Sequence, residues 1–163
     1  MSKLLLEQNS QSQFSPGLVR DDESLARLQF HPEHIKDGQV IETAISIQDL
    51  TDRGYSIARK VHIIPDTFAE NARRMMEKVP EQRSGVQVSV FETSKIRELK
   101  FNDTERAFVV VDDALENDIA HACVLSAYER KSSQIRKLRG ILLPHLQSLF
   151  HLDEFLKSLK KSV

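Results

Sequence analysis

The apolar residues in the last third of the chain recur at steps of three and four residues, from Ser132 to Val163. This spacing places them on one side of a helix, which must bury that side against another helix or a sheet. Pro144 interrupts the run, and a proline inside a helix costs about 3 kcal/mol. We therefore predict two helices that meet at a bend, near residues 132–143 and 145–161. The apolar positions are Ile135, Leu138, Leu142, Leu149, Leu152, Leu156, Leu159 and Val163.

Two earlier segments also have the features of helices. Pro65 or Asp66 can begin a helix that ends before Pro80. A shorter helix is predicted over 47–53, because Gly54 can adopt the left-handed conformation in which helices commonly end. The longer helix carries one apolar side, formed by Phe68, Ala72, Met75, Met76 and Val79.

Between these helices and the C-terminal run, apolar residues recur with a period of two, which is typical of strands. The valines after Gly85 alternate with other side chains, and further strands are predicted at 96–101 and 107–111. The last of these is apolar enough to be a central strand covered on both faces. Residues 119–127 suit a strand, although their alanines equally permit a helix. Short turns favour an antiparallel meander of about four strands packed by helices, so the predicted class is α+β.

The composition is that of one folded domain preceded by a polar segment. Residues 1–20 are rich in uncharged polar side chains and are predicted to be a flexible tail, whereas 21–163 form a single domain. The single cysteine, Cys123, cannot form an internal disulfide. No apolar stretch approaches the ~20 residues that cross a membrane. We therefore predict a cytoplasmic protein that does not bind membranes, and no motif predicts a cofactor.

The acidic segment 112–121 is the main candidate for chemistry, because it follows the most apolar predicted strand and loops in that position often carry sites. We predict His121 as a base whose ring is oriented by Asp112 or Asp113, with Asn117 positioning a substrate. The alternative is an acidic surface loop in which Asp and Asn serve only to form turns.

The remaining candidate sites rest on less complete patterns. Arg53 and Arg59 flank the turn at Gly54 and could bind an anion together with backbone amides, although a helix end explains the glycine equally well. Pro32 disfavours a helix that would place His31 and His34 on one side, so no metal site is predicted. Cys123 lies among small apolar residues and is predicted to be a core residue rather than a nucleophile.

Three functions follow from these patterns. The preferred prediction is a module that binds another protein or a second copy of itself through Leu149, Leu152, Phe155, Leu156 and Leu159. The first alternative is a hydrolase or transferase, which requires His121, a carboxylate and a cation to converge on one cleft. The second is nucleic-acid binding through the basic segment 130–139, although the net charge of the chain is only −1 and no aromatic residues alternate with the cations.

Overall fold

The computed structural model describes residues 2–10 and 12–160. These residues form a central sheet of six strands, two small hairpins and four α-helices. The sheet strands are β1 (Ser24–Pro32), β4 (Tyr55–Arg59), β5 (Arg83–Glu92), β8 (Phe108–Asp112), β9 (His121–Ser126) and β10 (Leu149–His151). The hairpin strands are β2 (Ile35–Lys36), β3 (Gln39–Val40), β6 (Lys100–Phe101) and β7 (Glu105–Arg106). The helices are α1 (Pro65–Lys78), α2 (Thr93–Glu98), α3 (Ser132–Leu142) and α4 (Leu152–Lys160).

The large sheet is antiparallel at every pairing, in the order β10-β5-β1-β4-β9-β8. The predicted α+β class is therefore confirmed, with six strands in place of about four. The order differs from a meander, because β1 lies between β4 and β5 and only β8 and β9 form a simple hairpin of consecutive strands. Residues 119–127 contain a strand, β9, and not a helix.

Both faces of the sheet are covered, because successive strand residues point to opposite sides. On one face, called here the α3 face, Leu25, Tyr55 and Val110 pack beneath Ile135, Leu138 and Leu142 of α3. On the other, the α1 face, Ala26, Leu28 and Val88 pack against Phe68 of α1 and Phe155 of α4. Leu4 and Leu6, in a 3₁₀ turn at Leu4–Glu7, cover the part of the α1 face that β8 and β9 form.

The predicted helix at 65–79 is confirmed as α1, and residues 47–53 are helical and include a π-turn at Asp49–Arg53. The predicted strand at 96–101 is wrong in its first half, since α2 extends to Glu98, whereas Lys100–Phe101 is strand β6. There the backbone N–H groups of Thr93 and Ser94 donate to carbonyls of Glu23 and Asp21, at 3.1 Å each. These bonds turn the chain out of β5 into a helix, which buries Ile96 completely.

The C-terminal bend also differs in detail from the prediction. Pro144 lies in a 3₁₀ turn at Leu143–Leu146, and the following residues add β10 to the edge of the sheet before α4 begins at Leu152. The turn is tied to the sheet by the Ser89 hydroxyl, which donates to the Leu146 carbonyl at 2.6 Å. The second helix is therefore shorter than predicted, and the predicted positions 161–163 lie outside the described residues.

The segment predicted as a tail lies against the sheet in residues 2–10 and 12–20. The Glu7 carboxylate accepts hydrogen bonds from Arg97, Arg106 and the Val110 N–H, at 2.7–2.9 Å. Burial raises the pKa of Glu7, but these bonds and the charge of Arg97 outweigh it and hold the pKa below its usual value. Polar composition alone does not show which distant arginines a carboxylate will meet, and the flexibility of residues 1–20 stays a prediction.

The same segment explains the position of β8. The sequence predicts a central strand there, and all five of its residues are buried. Yet β8 lies at the edge of the sheet, where the N-terminal residues and α2 cover it in place of neighbouring strands. Among the helices of the described chain, none is long and apolar enough to cross a membrane.

Candidate functional site

A cleft of about 370 Å³ opens on the α1 face, between α1 and the turn that follows β8. Its floor is formed by small residues of the sheet, including Ala26 and Ala58, and Phe68 and Met75 of α1 form the apolar wall. The volume lies within the ~300–1,000 Å³ range of small-molecule sites. His121 lies in this cleft, so the segment 112–121 contributes to a concave surface.

The cleft is placed where the central strands separate. β1 and β4 are paired only at Leu25–Arg59 and Ala26–Ala58. Beyond that point the Arg27 side chain enters the gap, and its Nη1 donates to the Ser56 carbonyl at 2.8 Å. Its guanidinium also lies over the Tyr55 ring, 4.4 Å from the centroid. The Arg27 guanidinium therefore binds the Ser56 backbone carbonyl, which a neighbouring strand would otherwise bind.

His121 connects a carboxylate residue to a hydroxyl. Its Nδ1 lies 2.8 Å from the backbone carbonyl of Asp113 and 3.2 Å from Oδ2 of the same residue. A carbonyl can only accept a hydrogen bond, so Nδ1 carries the proton in the neutral ring. Nε2 then presents its lone pair to Ser56 Oγ, at 3.2 Å. This tautomer is the one that a general base acting on a serine requires.

The pairing of β4 with β9 brings this serine and histidine together. Ala58 pairs with His121 and Ser56 pairs with Cys123, so all four side chains point to the α1 face. Ser56 and His121 are diagonal neighbours in this register, within reach of each other's side chains. Ala58, directly opposite His121, leaves space around the ring because its side chain is small.

The two predicted carboxylates have different positions. Asp112 belongs to β8 and is directed to the α3 face, where it accepts hydrogen bonds from Arg59 and Ser10. Only Asp113, whose side chain is 52% exposed, contacts His121. Asn117 is exposed in a tight turn closed by hydrogen bonds between Leu115 and Asp118, at 2.9 and 3.1 Å. The substrate-positioning role of Asn117 stays a prediction.

The structure does not bring together Arg53 and Arg59, which lie at opposite ends of β4. Arg59 is buried, and every N–H of its guanidinium donates: two to Glu23 at 2.7 and 2.8 Å, and the others to Gly17, Leu18 and Asp112. It therefore has no donor left for a bound anion. Arg53 is exposed and pairs with Asp49 at 3.2 Å.

Gly54, between these arginines, is required by the packing of Cys123. It has φ of +89°, and a Cβ there would lie 2.8 Å from Cys123 Cβ, closer than real contacts allow. Its N–H donates to the Asp49 carbonyl at 2.7 Å, so it ends the helical segment as predicted. Burial raises the pKa of Cys123 to about 12, which keeps the thiol protonated at neutral pH.

His31 and His34 each have a hydrogen-bond partner within the chain. His34 is buried, and its Nδ1 accepts from the Phe30 N–H at 3.1 Å. Burial, with a contribution from the charge of Arg27, lowers the pKa of His34 to about 4. His31 Nε2 lies 2.9 Å from the Gln87 amide oxygen. Within residues 2–10 and 12–160, no group of three or more His, Cys, Asp or Glu side chains is arranged to hold a metal ion.

The predicted interface residues pack within the chain. Phe155 is only 2% exposed, and its ring lies 5.3 Å from that of Phe68. Leu152, Leu156 and Leu159 pack around the same cluster, and Leu149 packs on the α3 face. Packing within the chain therefore explains the apolar spacing from which the interface was predicted. Contact of these residues with a partner stays a prediction.

The basic segment 130–139 is partly neutralised. The Arg130 guanidinium lies 4.1 Å from the centroid of the Phe101 ring and pairs with Glu105 at 2.8 Å. Arg139 pairs with Glu42 at 2.9 Å. The exposed Arg136 and Lys137 still offer positive charge to solvent, and nucleic-acid binding there stays a prediction.

A second, larger groove of about 1010 Å³ lies near the end of β4, against Leu18, Val61 and His62. Its buried cation is Arg59, whose donors are all occupied. Ser24, which also lines it, donates its hydroxyl to Glu92 at 2.8 Å and so is directed away from His62. The larger groove thus lacks the hydroxyl–imidazole contact found in the smaller cleft.

Sequence reasoning did not identify Ser56 as a site residue. The alternation of Tyr55, Ser56 and Ile57 shows that the hydroxyl points away from the α3 face, but it does not identify the residue opposite. That depends on the pairing with β9, 65 positions further along the chain.

Comparison of the chain with models of protein families, with curated proteins and with solved structures finds no match. The function is therefore argued from the geometry of the cleft.

Proposed function

We propose that the protein is a hydrolase or acyl transferase with Ser56 as nucleophile and His121 as general base. The observation that carries the proposal is the contact of His121 Nε2 with Ser56 Oγ, while Asp113 holds Nδ1 on the opposite side of the ring. Arg27, Arg74 and Lys78 line the cleft beside His121, and Asp118 is the acidic residue on that lining, which supports the proposal.

In the proposed reaction, Ser56 Oγ attacks the carbonyl carbon of an ester or related acyl compound, and its proton passes to His121 Nε2. The Asp113 carbonyl, which accepts from Nδ1–H, and the negative charge of the Asp113 carboxylate both favour the resulting imidazolium. His121 then returns the proton to the leaving group, and Ser56 keeps the acyl group. Water, or another acceptor in a transferase, then attacks the acyl carbon and loses a proton to Nε2. The bond from the acyl carbon to Ser56 Oγ breaks, and His121 returns the proton to Ser56 Oγ as the acyl product leaves.

The contact between Ser56 and His121 has a length consistent with this chemistry. Nucleophile and base approach to ~2.6–3.2 Å, and the distance is often longer before substrate binds. The observed 3.2 Å is at the upper end of that range. Arg27 also lines the cleft, and its Nη1 donates to the backbone carbonyl of Ser56.

A fluorophosphonate probe, which phosphonylates activated serines, tests the proposal by intact-protein mass spectrometry. We expect one label on the wild-type chain and none on Ser56→Ala. His121→Ala should slow labelling at least about a hundredfold, because the base is lost. Ser133→Ala is a matched control, since this exposed serine at the start of α3 lies outside the cleft. An unlabelled wild type, or a label that persists on Ser56→Ala, would contradict the proposal.

Protein–protein interaction is a second proposal, supported by the free edge of the sheet. Within the described part of the chain, β10 pairs only with β5, so its other edge lies open beside Phe150, which is 40% exposed. Leu152, Leu156 and Leu159 of α4, the helix that follows β10, are only partly buried. Light scattering after size exclusion should show a dimer that Phe150→Glu converts to monomer. A wild-type monomer that co-purifies with no partner from its host would contradict it.

A further inference from the structure

The wall of the cleft that α1 forms is positively charged. Arg74 and Lys78 lie four residues apart, so they occupy the same side of the helix one turn from each other. Both line the cleft, as does Arg27, whereas Asp118 is the acidic residue on that lining. The balance favours a ligand that carries negative charge.

These two cations lack the acidic partners that their neighbour has. Arg73, on the outer side of α1, forms ion pairs with both Glu70 and Glu77. Arg74 instead donates to the amide oxygen of Asn71 at 2.5 Å. Among residues 2–10 and 12–160, no carboxylate lies within 4.0 Å of the charged nitrogens of Arg74 or Lys78. Glu70 and Glu77 thus form their ion pairs with the outer arginine, Arg73.

The rest of the cleft suits a small uncharged group. Leu28, Phe68 and Met75 offer apolar contact between the cationic wall and the sheet that carries Ser56. We infer that the cleft takes a small acyl compound bearing a carboxylate or phosphate, which Arg74 and Lys78 bind while the acyl carbon lies near Ser56. This inference rests on the proposed function.

Two esters with the same leaving group test the inference: 4-nitrophenyl acetate, which is neutral, and 4-nitrophenyl succinate, which keeps a free carboxylate. We expect a higher kcat/KM for the succinate. Arg74→Ala and Lys78→Ala should each lower it about tenfold, mainly through KM, as loss of a charge-assisted hydrogen bond would. Hydrolysis of the acetate, which has no carboxylate for these cations to bind, should fall less than that of the succinate in both variants.

Arg73→Ala is the matched control, because it removes a cation from the same helix on the side away from the cleft. Added salt should reduce the preference for the succinate, since the cations are near solvent. The inference is overturned if the variants treat both esters alike, or if Arg73→Ala has the same effect as Arg74→Ala.

A binding measurement separates this inference from the proposed hydrolase. Calorimetry of the Ser56→Ala protein with phenyl phosphate and with benzoate should show binding that Arg74→Ala weakens about tenfold. Tighter binding of phenyl phosphate would assign the phosphate, and tighter binding of benzoate the carboxylate. Binding of this kind without any esterase activity would uphold the anion site and refute the hydrolase. If the protein hydrolyses the acetate and succinate esters equally well and binds neither phenyl phosphate nor benzoate, the anion site is refuted and the hydrolase is not.

Discussion

Asp112 and Asp113 are neighbours in the chain, yet they belong to two clusters of opposite character. Asp112 is buried on the α3 face with Arg59 and Glu23, in a cluster whose arginine has no free donor. Asp113 lies at the cleft with His121, whose Nε2 faces a hydroxyl open to solvent. The difference shows that neighbouring carboxylates in one short segment can be buried in an ion-pair cluster on one face and exposed beside a histidine on the other.

Replacing the arginine of the closed cluster should have the largest effect. Arg59→Met would leave Glu23 and Asp112 buried without a countercharge, which costs about 3–5 kcal/mol of the free energy of unfolding. Urea denaturation measures the loss. Arg53→Met is the control at the other end of β4, and it should cost less than about 1 kcal/mol because its ion pair is exposed. Equal losses in the two variants would show that the Arg59 cluster is not a structural anchor.

A buried histidine sharpens the contrast with His121. Burial lowers the pKa of His34 from its ordinary value of 6.5 to about 4 in the folded chain. Between pH 4 and pH 6.5, His34 therefore carries a proton in the unfolded chain but not in the folded chain. Stability from this group is therefore present at neutral pH and is lost as the pH falls from 6.5 towards 4, by about 3 kcal/mol in total.

The measurement is the free energy of unfolding against pH for the wild type and for His34→Asn. The asparagine keeps an acceptor for the Phe30 N–H but does not titrate in this range, so its curve should be flatter. Parallel curves for the two proteins would mean that His34 is not held neutral by its surroundings.

Exchanging the two carboxylates for amides compares the clusters directly. Asp113→Asn should lower kcat/KM for the succinate ester about tenfold, or ~1.4 kcal/mol. The effect is modest because the Asp113 backbone carbonyl still accepts from His121 Nδ1. Asp112→Asn should instead reduce stability, since it removes a charge paired with Arg59, and leave kcat/KM of the folded protein unchanged. The reverse pattern would contradict the division between the clusters.

Much of the secondary structure could be predicted because it depends on local periodicity and on prolines and glycines. Pro65 and Pro80 bound α1 closely, and Gly54 ends the helical segment before it. The strand prediction failed at 96–98, where hydrogen bonds to Glu23 and Asp21 turn the chain into α2. Those partners lie about seventy residues earlier, beyond what a local pattern can show.

For the candidate site, the sequence identified His121 and a pair of possible carboxylates but not the hydroxyl. Side-chain alternation along a strand assigns Asp112 and Asp113 to different faces only if the strand is known to end at Asp112. The contact with Ser56 requires the register of β4 on β9. The spacing of apolar residues also could not show whether Leu152 and Leu156 pack within the chain or against a partner; in the fold they pack against the cluster around Phe68 and Phe155.

By itself, the sequence determined the kinds of elements, the places where α1 begins and ends, and a histidine beside a carboxylate, because each follows from neighbouring residues. The tertiary structure decided the order of the strands, the packing of residues 2–10 through Glu7, and the meeting of Ser56 with His121. Long-range pairing and ion pairs settle these features, since their free energies depend on residues far apart in the chain that only folding brings into contact.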